Sequence, residues 1–298
     1  MVGYRCSFLR WVAGVVFLAG LLAGLAGEAR AQASDWTEPF PPFHIAGNLY
    51  YVGSRGLAAY LVVTPQGDIL INSNLQDSVP QIRRSIEQLG FRFSDVKILL
   101  ISHAHYDHDA GSAEIVRTTG AKYMVMDADV AVVESGGTKD FQYGDRKEML
   151  YPAAKVDRVL HDGDEVRLGG AVLTAHLTPG HTRGCTTWTM TEVEGERSYH
   201  VVIVGSPNLN PGYKLVGSTV YPEMARDYEK EFRVLRELPC DIFLGAHGSY
   251  FGMEAKYARA KTEGVKAFVD PQGYQEYVAD RERVFEAELA KQRTAQGR

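Results

Sequence analysis

Short apolar runs bounded by polar positions fall over residues 48–52, 58–64 and 68–72, with Gly- and Pro-containing turns between them, which predicts three β-strands. The period then lengthens. Ile82, Ile86 and Leu89 recur at helical spacing and Gly90 stops the helix. Residues 96–101 form a nearly continuous apolar run, the pattern of a strand buried on both faces. A helix is expected over 113–119 and a strand over 122–126. Residues 134–151 read as a long loop with Gly136, Gly137 and Gly144 beside Phe141, Tyr143 and Tyr151, and loops of this length are often functional. The second half repeats the style, with strands expected over 165–168, 171–177, 186–190 and 199–205, a helix over 222–237, a strand over 241–244 and helix over much of 272–292. Strands and helices alternate in both halves with no polar linker between them, so a single layered α/β domain over residues 34–298 is expected.

The first 33 residues stand apart. Arg5 and Arg10 precede an apolar run over 11–27, and Ala31-Gln32-Ala33 places small residues where a leader is cleaved. The run is shorter than the ~20 residues of a spanning helix and rich in Gly and Ala, which favours a secretory signal peptide over a membrane anchor. The expected product is a bacterial periplasmic or secreted protein with no membrane attachment after cleavage. Across 298 residues, 45% are hydrophobic and 23% charged, ordinary globular proportions with enough apolar content for a large core. The formal net charge is −5 and no basic block occurs, so a nucleic-acid partner has no electrostatic support. With Cys6 in the leader, Cys185 and Cys240 remain, either paired or as two free thiols.

Histidine placement carries the chemistry. Directly after the run over 96–101 comes Ser102-His103-Ala104-His105-Tyr106-Asp107-His108. In an extended segment His103, His105 and Asp107 point to one face while His108 turns elsewhere. Four ligand-type side chains in six residues suit two adjacent metals, and imidazoles with a carboxylate favour zinc. His181, in Thr178-Pro-Gly-His-Thr182, and His247, in Leu244-Gly-Ala-His-Gly248, also follow predicted strands, with Gly180 and Gly248 allowing tight backbone. His44, His161, His176 and His200 are isolated and are taken as surface or core residues.

On this His-x-His-x-Asp-His motif and the downstream histidines, the chain resembles the metallo-β-lactamase superfamily from about Tyr50 to the C-terminal helix. The resemblance implies an αββα sandwich with a dizinc site at one sheet edge. Many hydrolases of that family place a metal-bridging Asp after the strand over 201–204, where this chain has Gly205-Ser206-Pro207-Asn208. The remaining pattern is similar to subclass B3, through residues 178–188, Asn210-Pro-Gly-Tyr-Lys-Leu215, Tyr221-Pro222 and Leu238-Pro-Cys-Asp241. Carried over, His103, His105 and His181 hold one Zn²⁺, and Asp107, His108 and His247 hold the other. Asp107 and His108 serve catalysis with a hydroxide generated by the metals. B3 relatives often carry serines near residues 207 and 209 that contact the substrate carboxylate; here Asn208 or Ser206 takes that role, with the loop around Phe141 and Tyr143 as a wall over the substrate. Gly273-Tyr274 stands where a partner for Cys240 is common, so that disulfide is not expected. The strand end Ile71-Asn72-Ser73-Asn74 also departs from an Asp-containing version.

The implied activity is zinc-dependent opening of the β-lactam ring of penicillins, cephalosporins and carbapenems by a monomer, conferring resistance. Two alternatives stand beside it. One is a lactonase- or thioesterase-like dizinc hydrolase of the same fold, and the other a non-catalytic periplasmic zinc-binding protein. Structural zinc sites are usually closed by four ligands, whereas three per metal leave a position open, which favours catalysis.

Overall fold

The computed structural model describes residues 35–297, so the expected leader lies outside the described residues. Seven strands form the first sheet in sequence order: β1 (Phe43–Ala46), β2 (Leu49–Tyr51), β3 (Tyr60–Val62), β4 (Asp68–Ile71), β5 (Val96–Leu100), β6 (Lys122–Met126) and β7 (Arg158–Leu160). Pairing is antiparallel from β1 to β4 and parallel from β4 to β7. Parallel neighbours need crossover segments, and helices α1 (Val79–Gln88), α2 (Tyr106–Asp109), α3 (Ser112–Thr119) and α4 (Asp127–Glu134) lie in those connections.

The second sheet runs β12-β11-β10-β9-β8, built from β8 (Glu165–Leu168), β9 (Ala171–Leu177), β10 (Thr186–Glu194), β11 (Arg197–Val204) and β12 (Ile242–Gly245). Only the β11–β12 pair is parallel, and its crossover contains α5 (Met224–Glu237). Helices α6 (Met253–Glu263) and α7 (Pro271–Gln296) follow β12.

Side-chain alternation sorts the first sheet between two apolar clusters. Tyr60, Val62, Ile69, Ile71, Ile98 and Leu100 join the main core with Trp188, Val201 and Ile203 of the second sheet. Leu61, Leu70 and Leu99 face the other way, against Ile82 and Ile86 of α1, Ile115 of α3 and Val133 of α4. That is why β4 and β5 are apolar at nearly every position. The main core also takes Tyr228 and Phe232 of α5 and Val278, Phe285 and Leu289 of α7. Helices, two sheets and helices stack in the αββα order, the fold expected from the sequence.

Several elements exceed the sequence reading. β1, β7 and α6 were not anticipated, and α4 fills residues between the expected strand over 122–126 and the expected loop that begins at residue 134. No helix among the described residues is long and apolar enough to cross a membrane. Cys185 and Cys240 are both free thiols.

One core group carries a stability consequence. Glu231 on α5 is fully buried, and neither carboxylate oxygen has a hydrogen-bond partner. Burial holds its pKa well above the usual carboxylate range. A carboxyl whose folded pKa is raised contributes stability that is complete below its unfolded pKa and is lost as pH climbs toward the folded value. The slope is about 1.4 kcal/mol per pH unit over that window. Glu231→Gln, which cannot ionise, should therefore gain on the wild type in melting temperature from pH 5 to pH 8. Parallel curves for the two proteins would contradict the assignment.

Candidate metal centre

Three strand ends deliver the ligand-type side chains to one edge of the sandwich. β5 stops at Leu100 and leads to His103 and His105, β9 stops at Leu177 and leads to His181, and β12 stops at Gly245 and leads to His247. The extended register expected through Asp107 holds only as far as His105. The chain then turns into α2, so Asp107 and His108 come from one helical turn rather than from opposite faces of a strand. This brings His108 to the same side as Asp107, correcting the expectation that it points away.

Local hydrogen bonds hold the ends together. The segment Asn72-Ser73-Asn74 clamps both ends of the motif: Ser102 N donates to Asn72 Oδ1 at 2.8 Å, and Ser73 N donates to the His108 carbonyl at 3.0 Å. Asn72 and Asn74 adopt φ of +67° and +56°, which asparagine tolerates better than most residues. Their side-chain amides donate to Ala58 O at 3.2 Å and Leu57 O at 3.1 Å. Thr186 N donates to Ser102 O at 2.7 Å and Ala58 N to Ala246 O at 3.0 Å, tying the other two histidine loops to the first sheet. Gly180 has φ +144°, and a Cβ there would fall 2.7 Å from the Tyr228 ring, so no other residue fits before His181.

Asp129, on α4, was not singled out in the sequence. It is buried and accepts from Ala104 N at 2.9 Å, Thr182 Oγ1 at 2.8 Å and Gly184 N at 2.8 Å. One carboxylate thus bridges the backbone between His103 and His105 to the loop carrying His181. Gly184 is required for this approach, since a Cβ there would lie 2.6 Å from the Asp129 carboxyl carbon.

Two sets of ligand atoms result. His105 Nδ1 lies 3.1 Å from His181 Nε2, and the ring of His103 packs within 4.9 Å and 4.7 Å of those two rings. His108 Nε2 lies 3.1 Å from His247 Nε2, and Asp107 Oδ2 lies 3.2 Å from the former and 3.5 Å from the latter. His103, Asp107 and His108 also present ligand atoms within 4.8 Å of one another, so the two sets adjoin.

These spacings fit zinc. Tetrahedral ligands at about 2.0–2.1 Å from zinc stand roughly 3.3 Å apart, close to the observed separations. The protonation states fit as well. Burial, with neighbouring imidazoles, drives His103 well below its ordinary pKa, and burial lowers His181 and His247 to about 3, so all three are neutral with lone pairs free. His181 Nδ1 donates to the Asn208 carbonyl at 2.7 Å, which leaves Nε2 as the ligand atom. Burial lowers His105 too, but Asp140 Oδ2, 3.6 Å from its Nε2, outweighs this and raises it, orienting Nδ1 inward. Burial opposes ionisation of Asp107, yet His108 and His247 hold its carboxyl far below the usual range.

Over the centre opens a cleft of about 580 Å³ lined by His105, Asp107, His181 and His247 with Trp36, Tyr143, Met149, Asn208, Tyr277 and Arg281 among others. Of the residues expected to meet substrate, Asn208 lines it. Ser206 does not: it is fully buried, its hydroxyl 3.2 Å from Tyr250 Oη. Phe141 does not line it either, because its ring packs against Tyr213 and Tyr221 at 5.3 Å and 4.9 Å. The other aromatic expected from that loop, Tyr143, does line it, together with Met149. Trp36, tilted against His247 at 5.9 Å and Tyr106 at 6.0 Å, closes the opposite wall and had no motif around it to mark it.

Comparison with known proteins agrees with this geometry. Residues 53–247 match the family model of the metallo-β-lactamase superfamily. The native FEZ-1 metallo-β-lactamase from Legionella gormanii superposes with a TM-score of 0.85 at 55% identity, covering 86% of this chain and 98% of that one. The class B3 di-zinc metallo-β-lactamase LRA-12 from an Alaskan soil metagenome gives 0.82 at 37% identity, covering 85% and 96%. Curated relatives are more distant: a probable metallo-hydrolase of Burkholderia pseudomallei is 28% identical over 164 residues, 54% of each chain. The chain spans only about half the length of that relative. The protein belongs to the metallo-β-lactamase superfamily, and within it to the subclass B3 enzymes.

Proposed function

We propose that this protein hydrolyses the β-lactam amide bond of penicillins, cephalosporins and carbapenems as a monomeric, exported, periplasmic enzyme. The observation that carries the reading is the pair of adjoining ligand sets at the floor of an open cleft, each with three protein side chains. His103, His105 and His181 would hold one zinc ion, and Asp107, His108 and His247 the other. When bound, zinc supplies Lewis acidity toward the lactam and makes water acidic enough to ionise near pH 7.

The chain's own groups do the rest. Asp107, the carboxylate at the cleft floor, is held ionised between His108 and His247 and accepts a hydrogen bond from the attacking water, fixing its direction. His108, fully buried, holds Asp107 in place. Trp36, Tyr143 and Met149 wall the cleft with apolar surface and limit bulk water near the reacting amide. No serine or cysteine nucleophile is needed, and Cys185 is buried with its pKa pushed well up by desolvation.

Purified protein assayed against one penicillin, one cephalosporin and one carbapenem, with a lactone and a thioester alongside, tests this. Hydrolysis of at least one β-lactam, lost with EDTA and restored by zinc, is the expected result. Turnover of the lactone or thioester with none of the three β-lactams would replace this reading with that of another hydrolase of the fold.

A further inference from the structure

The cleft is not electrostatically uniform. Among the described residues lining it, Arg281 of α7 carries the only permanent positive charge. Its guanidinium is partly committed: Nη2 donates to the carboxylate of the adjacent Asp280, and Nη1 lies 3.4 Å from Asn208 Oδ1. Nε is buried and has no hydrogen-bond partner. The Tyr277 hydroxyl, one helical turn earlier and in the same cleft, is likewise buried without a partner. The Arg281 guanidinium sits 6.0 Å from the Tyr277 ring centre.

Two unpartnered buried donors in one cleft wall cost free energy unless a ligand accepts from them, because each forgoes its hydration. Both are donors and one is cationic, so the complementary ligand group is an anion with acceptor oxygens. Position supports the pairing with the reaction centre. Asn208 receives the His181 imidazole on its backbone carbonyl and Arg281 on its side chain, so one residue separates the guanidinium from a metal-ligand histidine. On the other side a ladder of rings runs from His247 to Tyr250 at 4.9 Å and from Tyr250 to Tyr277 at 5.2 Å. Arg281 and the His105, Asp107, His181 and His247 side chains thus line one and the same cleft. The stretch Pro207-Asn208-Leu209 has no hydroxyl to do this work.

We infer that Arg281, with the Tyr277 hydroxyl, binds the carboxylate that β-lactam substrates carry beside the ring and so sets which substrates the enzyme accepts. This rests on the β-lactamase reading. Asn208 is then a positioning residue, holding the guanidinium rather than meeting the carboxylate alone.

The test compares a carboxylate-bearing cephalosporin with its methyl ester on the wild type, Arg281→Gln and Arg281→Lys. For the acid, Arg281→Gln should raise KM about 10–100-fold, the effect of losing one charged hydrogen-bonding partner, with kcat changed far less. For the ester the same substitution should shift KM by less than about threefold, and lysine should recover part of the loss because it keeps the charge but not the fork. Zinc content, measured on each variant, should stay at the wild-type value. Equal losses on acid and ester, or a loss of zinc, would overturn the assignment by making Arg281 structural. A wild type that opens neither compound would instead sink the β-lactamase reading, a distinguishable failure.

Discussion

Alanine at His247 should leave the purified chain with one zinc ion instead of two and lower kcat/KM for a β-lactam on the order of 10²–10³-fold. The size follows from what is lost: one set keeps only Asp107 and His108, and the charge that develops as the amide opens loses a preorganised electrostatic partner. His247 is positioned by Trp36, Tyr250 and the bridge to Leu57. The rest of the centre should persist in the variant. His176→Ala makes the comparison specific. That histidine sits on β9 with its Nε2 2.7 Å from Thr189 Oγ1, outside the cleft, so its loss should leave both zinc ions bound and turnover intact. An H247A protein with two zinc ions and near-normal turnover would remove His247 from the centre.

The second large effect is expected at a residue that touches no substrate. Asp129→Ala strips acceptors from Ala104 N, Thr182 Oγ1 and Gly184 N together, all buried. Each orphaned donor costs about 1–3 kcal/mol, so a loss of about 3–5 kcal/mol is expected once some water enters, a large part of a typical domain's stability. Because the same carboxylate joins the His103–His105 segment to the His181 loop, zinc affinity should fall about 10–100-fold as well. Asparagine should not rescue it, since its NH₂ would face an N–H donor. Urea unfolding with and without zinc separates the two effects. An Asp129→Asn protein within about 1 kcal/mol of the wild type would show that the three contacts are dispensable.

The contrast between His247 and Asp129 explains what was legible in the sequence. His103, His105, Asp107 and His108 announce themselves because four ligand-type side chains in six residues are rare without a metal, and His181 and His247 follow strands in Gly-containing loops. The layered fold was legible for a similar reason: β4 and β5 are buried on two faces, and their apolar runs say so. What escaped lacked any local pattern. Asp129 sits in an eight-residue helix that the sequence reading left unassigned, and its three partners lie 25 to 55 positions away in the chain. Asn72 and Asn74 stood out only as a departure from an Asp-containing strand end, and nothing in the sequence told that their left-handed backbone clamps the motif. The extended spacing of the motif misplaced His108 because one helical turn, not a strand, carries its second half. Of the two aromatics expected to wall the substrate, Phe141 is drawn into the packing by the cation of Arg183 and the rings of Tyr213 and Tyr221, while Tyr143 stays at the cleft.

Histidines from three strand ends, with one aspartate, are placed to hold two zinc ions at one sheet edge. Zinc-edge X-ray absorption on the loaded protein, with metal content measured on the same sample, tests it most directly. Two zinc ions per chain with a coordination shell of nitrogen and oxygen only, dominated by imidazole, is the expected result, since neither cysteine belongs to either ligand set among the described residues. A sulfur ligand, or a single zinc at saturation, would contradict it.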